Sequence, residues 1–164
     1  MILYIVRHAW AADRTDPAWP NDDARPLTKE GSDRFTRMIE LLAKRDFAPE
    51  LVATSPLVRC RQTAAIIAKV LPGRPKVVER EELAPGSSLE GLVKWTAHRA
   101  ANCKEVAWVG HAPDVSDLAT ALVGDGRSAI HFAKGAVAAI EFADVPRTGQ
   151  GELRWLVTGK LLGV

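Results

Sequence analysis

Three short apolar runs in this chain end in residues that can handle an anion. Ile2–Val6 runs into Arg7-His8, Glu50–Thr54 into Ser55-Pro56-Leu57-Val58-Arg59, and Glu105–Val109 into Gly110-His111. Arginine offers a planar fork of N–H donors that matches phosphate oxygens. An imidazole with a free lone pair is a nucleophile or a proton carrier near neutral pH. In open α/β sheets, ligands bind beyond the carboxyl ends of the strands. Residues far apart in sequence can therefore meet in one pocket. Two of the three places also precede expected helix N-termini, whose free N–H groups attract anions. Taken singly, each feature has a plainer explanation. An Arg-His pair is commonly a surface pair, a histidine after a strand is commonly structural, and Arg59 alone is one solvated charge. All of them falling just after strand-like runs favours a shared cationic pocket for phosphate, with an imidazole to spare.

The elements that must position these groups alternate between strand and helix. Ile2–Val6 is continuously apolar, the mark of a strand covered on both faces. Residues 11–26 hold Asp13, Asp16, Pro17, Pro20, Asn21, Asp22, Asp23 and Pro26, a loop composition. Thr28 is a candidate N-cap for an amphipathic helix over Lys29–Arg45, with Phe35, Met38, Ile39 and Leu42 at helical spacing. Glu50–Thr54 reads as a second strand. Ser55 then caps, and Pro56 opens, a helix to Leu71 that Pro72-Gly73 stops. Lys76–Glu79 is a short strand, and Pro85-Gly86-Ser87-Ser88 turns into a helix holding Leu89, Leu92, Val93 and Thr96. After the Glu105–Val109 strand, Pro113 opens a helix through Val123. Ala136–Phe142 and Leu153–Thr158 read as strands, candidates for an antiparallel edge. The expected fold class is α/β: a single domain over residues 1–164, with a mainly parallel central sheet and helices on both faces.

Composition excludes several function classes. A 164-residue chain with 47% hydrophobic and 26% charged residues reads as one globular domain, neither disordered nor low in complexity. Its 22 basic and 20 acidic residues sum to +2, too balanced for a nucleic-acid binder with a basic stripe. No run approaches the roughly 18 apolar residues of a membrane span. The start, MILYIVRHAW, lacks the basic region of a secretory signal. Cys60 and Cys103 stand alone, without a CxxC, and no HExxH or carboxylate cluster occurs. The expectation is a cytoplasmic protein with no cofactor, no metal, no nucleic-acid partner and no membrane partner.

The strings around these residues resemble a known family. Arg7-His8-Ala9 resembles the RHG/RHA signature of the histidine phosphatase superfamily, the phosphoglycerate-mutase-like group. Arg25-Pro26-Leu27-Thr28-Lys29-Glu30-Gly31 is similar to its RPLTxxG segment, Ser55 to Ala64 to its SPxxRxxQTA segment, and Val109-Gly110-His111-Ala112-Pro113 to its VGHxP segment. All four occur in family order. Lys134-Gly135-Ala136-Val137 also resembles the final strand region. The short length and the RPLT form resemble the SixA-type phosphohistidine phosphatase branch more than the longer mutases. The resemblance implies His8 as a nucleophile that is transiently phosphorylated, with Arg7 and Arg59 binding phosphoryl oxygens. His111 would be a further donor as charge builds in the transition state. His8 must be neutral to attack, and like-charge repulsion from the arginines favours that form. Gly31 and Gly110 would serve close backbone fit.

One part of the family pattern is missing. Many members carry an acidic proton donor after the third strand, in a Leu-x-Glu context. Here the stretch is Glu81-Glu82-Leu83-Ala84-Pro85-Gly86, with proline where that Glu would stand. Glu82, or Asp13 from the first loop, are the candidate replacements; both also read as ordinary surface acids. An imidazole leaving group needs a strong general acid less than an alkoxide does. His98 and His131 read as exposed and structural respectively. Trp10 and Trp19 read as loop anchors near the pocket, and Trp95, Trp108 and Trp155 as packing. The implied partner is a protein carrying phosphohistidine. The alternatives are a small phosphorylated substrate and, from a different class, a non-catalytic phospho-ligand module.

Overall fold

Alternate residues of each central strand bury into opposite layers, and that alternation builds the molecule. A computed structural model describes residues 1–99 and 102–164. Six strands are described: β1 (Ile2–Arg7), β2 (Leu51–Thr54), β3 (Lys76–Glu79), β4 (Glu105–Gly110), β5 (Val137–Glu141) and β6 (Glu152–Val157). Four α-helices accompany them: α1 (Lys29–Ala43), α2 (Val58–Val70), α3 (Leu89–Arg99) and α4 (Asp114–Val123). Tyr4 and Val6 of β1 face a layer formed by Phe35, Met38 and Ile39 of α1 and Cys60, Ala64 and Ile67 of α2. Leu3 and Ile5 face the opposite layer, formed by Leu92 of α3 and Val115, Leu118 and Leu122 of α4. Helices on both faces explain why β1 and β4 read as unbroken apolar runs.

The sheet order is β3-β2-β4-β1-β5-β6. The strands β3, β2, β4 and β1 are mutually parallel, and β5 and β6 add an antiparallel edge. Arg7 pairs with Gly110 and Thr54 with Val109, so β1, β4 and β2 release their chains side by side. The ladder continues beyond the strand ends. The His8 N–H donates to the Gly110 carbonyl at 3.0 Å and the Ser55 N–H to the Val109 carbonyl at 3.0 Å. Across β1, the Gly135 N–H donates to the His8 carbonyl at 3.0 Å. Gly135 has φ +72°, and a Cβ there would meet the Trp10 ring at 2.9 Å. The turn into β5 therefore needs glycine on both counts.

Several expected boundaries move. Thr28 caps α1 as expected, accepting the Gly31 N–H, but the helix ends at Ala43 rather than Arg45. Ser55 does not cap α2. The helix starts at Val58 after Leu57, whose side chain makes no cap bond. The Ser55 hydroxyl instead meets His111 Nε2 at 2.8 Å, so the residue read as a cap is drawn to the neighbouring strand end. The loop of residues 11–26 contains a single 3-10 turn at Asp22–Ala24 and a bridge between Ala11 and Leu27. His131 is exposed, not structural.

Candidate active site

His8 is the first residue past β1, and its ring is held by its own neighbour. Nδ1 lies 2.7 Å from the Ala9 carbonyl oxygen. A carbonyl only accepts, so Nδ1 carries the proton and Nε2 the lone pair. Ala9 is itself fixed, its N–H donating to Thr63 Oγ1 at 3.1 Å, while the Thr63 hydroxyl donates to the Arg59 carbonyl at 2.7 Å. The side chain of His8 is buried, which pushes its pKa down to about 3. The Ala9 bond opposes that shift, and the charges of His111, Arg59 and Arg7 reinforce it. Desolvation and cationic neighbours both disfavour an imidazolium, so the ring is neutral at physiological pH.

His111 leaves the adjacent strand and faces His8, with ring centroids 5.4 Å apart and planes inclined by 58°. Ser55 Oγ lies 2.8 Å from its Nε2, and Cys60 Sγ lies 3.4 Å from the same atom. Burial, then Arg59, pushes His111 down to about 4, against the pull of Asp114 and Asp22. Burial pushes the Cys60 thiol up to about 12, which leaves it a packing group rather than a nucleophile.

The two arginines present their guanidinium groups from opposite elements. Arg7 Nη1 donates to the Phe132 carbonyl at 2.7 Å. Arg59 sits in the first turn of α2 and donates from Nη1 to the Asp22 carbonyl at 2.7 Å and from Nη2 to Asp22 Oδ2 at 2.9 Å. The Nε atoms of Arg7 and Arg59 are buried and have no hydrogen-bond partner among the described residues. The same holds for Arg34 and Arg80, but those guanidinium groups lie over Trp10 at 4.1 Å and Trp95 at 5.2 Å.

Arg7, His8, Arg59 and His111 line one cavity of about 580 Å³. The structure thus brings together the four residues singled out by position. It also brings in Asp13, but not Glu82, which does not line that cavity and pairs with Arg80. The Asp13 carboxyl accepts from the Thr15 N–H at 2.8 Å and the Thr15 hydroxyl at 2.7 Å, and both hold it below the usual carboxylate range. Glu82 is held low by its own backbone N–H and by Arg80. Neither candidate acid is set up to be protonated. Pro85 lines the cavity where the family acid would stand, and its loop is pinned by Asp114 Oδ1. That oxygen accepts the Gly86 and Ser87 N–H groups at 2.9 and 3.1 Å. Sequence reasoning missed Asp22, Asp114 and Lys134 as cavity residues. Asp22 precedes Arg25 of the RPLT string by three positions, the one signal that could have set it apart.

A neutral, oriented imidazole between two arginines is suited to attack a phosphoryl group whose oxygens the arginines hold. The family model of the histidine phosphatase superfamily (branch 1) matches residues 3–158. The chain belongs to the histidine phosphatase superfamily. An uncharacterized protein from Picosynechococcus sp. is 40% identical over 124 residues, covering 74% of this chain and 73% of that protein. Among solved structures, the protein histidine phosphatase SixA complexed with tungstate superposes with a TM-score of 0.85 at 25% identity, covering 99% of each chain. The α-ribazole phosphatase of Shigella flexneri shares the fold, with a TM-score of 0.67 at 19% identity over 97% of each chain. This histidine phosphatase is similar to the SixA structures over nearly its whole length and is a phosphatase of the hydrolase class.

Proposed function

We propose that this histidine phosphatase takes the phosphoryl group from a phosphohistidine on a partner protein, passes it through His8 Nε2 and delivers it to water. Arg7 and Arg59 hold the phosphoryl oxygens. His111 adds a donor as charge builds on them. In the first step a P–N bond forms to His8 Nε2 while the P–N bond of the substrate breaks. A substrate ring already protonated at its other nitrogen leaves as neutral imidazole. In the second step water attacks phosphorus, the bond to His8 breaks, and inorganic phosphate leaves.

The observation that carries this reading is the missing acid. The cavity holds a neutral nucleophile and cations with Pro85 in its wall; of the two candidate acids, Asp13 is held below the usual carboxylate range by Thr15, and Glu82 lies outside the cavity, paired with Arg80. An alkoxide leaving group needs a proton from the enzyme, whereas an imidazole does not. The mouth supports the same reading. Pro85, Ala112 and Pro113 are exposed around it, so a side chain presented on a folded surface can reach His8. A small metabolite ordinarily draws its binding energy from a deep enclosing cleft.

The test compares kcat/KM for a phosphorylated histidine-containing protein with that for sugar phosphates and phosphoserine peptides. The protein substrate is expected to be preferred. A small ester favoured by tenfold or more, about 1.4 kcal/mol of transition-state preference, would replace this reading with that of a small-molecule phosphatase.

A further inference from the structure

The RPLT string has so far supplied no chemistry, yet its Arg25 lines the same cavity as His8. The structure links it to Arg59 through one carboxylate. Arg25 donates to Asp22 Oδ1 from Nε at 3.0 Å and approaches it with Nη2 at 2.9 Å, while Arg59 Nη2 binds Asp22 Oδ2 at 2.9 Å. Arg14 approaches the same carboxylate at 3.9 Å. Arg25 is anchored in turn by Nη1, which donates to the Ala12 carbonyl at 2.7 Å. The segment around it is stapled to the core. Ala12 N–H donates to the Pro26 carbonyl at 2.9 Å, and Leu27 N–H to Gln62 Oε1 of α2 at 2.7 Å.

A guanidinium has two usable edges, the outer fork between its terminal nitrogens and the side fork that includes Nε. Asp22 engages both terminal nitrogens of Arg59, one by its carbonyl and one by its carboxylate. The Nε edge is left without a protein partner. The side chain of Arg59 is 5% exposed, so Asp22 is also the counter-charge that lets this cation stand buried before a substrate arrives.

We propose that Asp22 is a positioning residue for the phosphatase reaction: buttressed by Arg25, it takes the outer edge of Arg59 and thereby fixes that guanidinium in the wall of the cavity that takes the phosphoryl group. This rests on the reading that Arg59 binds the phosphoryl group. Burial raises the Asp22 pKa, but Arg59 and Arg25 outweigh it and hold the carboxyl ionised, so the contact persists through the neutral range. The effect of Asp22 is exerted through Arg59, without contact to the reacting atoms. The hydrogen bond that Arg59 donates to Asp22 joins residues 37 positions apart, which ties the first loop to α2 at the site itself.

A double-mutant cycle tests it, with an aryl phosphate as substrate and tungstate as an oxyanion inhibitor. Asp22→Ala is expected to lower kcat/KM about tenfold or more, roughly the value of a charge-assisted hydrogen bond, and to weaken tungstate inhibition by a similar factor. Asp22→Asn, whose amide oxygen still accepts from Arg59, should recover part of both. In an Arg59→Lys background, where no fork remains to be oriented, Asp22→Ala should cost less than about threefold. Two outcomes overturn the proposal: an equal loss in both backgrounds, or tighter tungstate binding by Asp22→Ala, which would make the carboxylate a competitor of the substrate. Failure of the wild-type protein to form a phosphoenzyme at His8 would instead strike the function proposed above. Wild-type turnover with an unaltered Asp22→Ala strikes this inference alone.

Discussion

His8 Nδ1 and the Ala9 carbonyl oxygen lie 2.7 Å apart, and that single contact decides which ring nitrogen can react. It costs the neutral ring nothing and leaves Nε2 with its lone pair. Burial does the rest by keeping the ring uncharged. The tautomer and the charge state of the nucleophile are therefore set by the fold before any substrate arrives.

The first prediction concerns pH. His8 is pushed down to about 3 and His111 to about 4, both below the ordinary histidine value of 6.5. The unfolded chain takes up these protons first, so it binds more protons than the fold in that interval. Stability is fully present above about pH 6.5 and is lost as pH falls toward the two folded values. Catalysis should show no acid limb from His8 between pH 8 and 5, because the nucleophile stays neutral there. Ring signals of His8 in an NMR titration should stay constant across that interval while the melting temperature declines below about pH 6. A His8 ring titrating near 6.5 contradicts this.

Ser55 is the second test. Its hydroxyl holds His111 Nε2 at 2.8 Å and leaves α2 without a side-chain cap. Ser55→Ala removes a hydrogen bond worth about 0.5–1.5 kcal/mol, so kcat/KM should fall by about two- to tenfold. An unchanged kcat/KM would show that His111 is held by its packing alone.

The third prediction is structural. A Cβ on Gly31 would collide with the Trp10 carbonyl oxygen and come within 2.8 Å of Thr28 Oγ1. Neither can retreat cheaply, since the Trp10 carbonyl accepts the Thr28 N–H at 3.0 Å and Thr28 Oγ1 caps α1. Gly31→Ala should destabilise the fold by about 1–3 kcal/mol, read from denaturant unfolding. Wild-type stability would mean the first loop shifts freely.

The parts of this molecule that were legible in the sequence share one cause. β1 and β4 are covered on both faces, so they had to be continuous apolar runs, and the residues that follow them stood out as polar. Arg7, His8 and His111 were visible for that reason. Asp22 was not. It sits among Asp13, Asp16 and Asp23 in a polar loop, and no periodicity separates one acid from another there. Its distinction arises when a 3-10 turn folds it over an arginine of α2. Ser55 misled because Ser-Pro is a good helix opening in isolation, and tertiary contact with His111 outweighed that local preference.

Charge supply gives the fourth prediction. Arg7, Arg14, Arg25 and Arg59 line the cavity beside two uncharged histidines, and these arginines supply the positive charge that a metal provides in other phosphoryl-transfer sites. Turnover should be unchanged by a strong chelator and gain nothing from added magnesium or zinc. Activity that vanishes with the chelator and returns with either metal contradicts it.

The most direct measurement is to trap the phosphoenzyme. Rapid acid-free quenching of a reaction with labelled substrate, followed by peptide mapping, should place one acid-labile phosphoryl group on His8. His8→Ala should carry no label and lose at least about a hundredfold in turnover, the lower end for a lost catalytic group. Label on another residue, or near-wild-type turnover in His8→Ala, would contradict passage of the phosphoryl group through His8 Nε2.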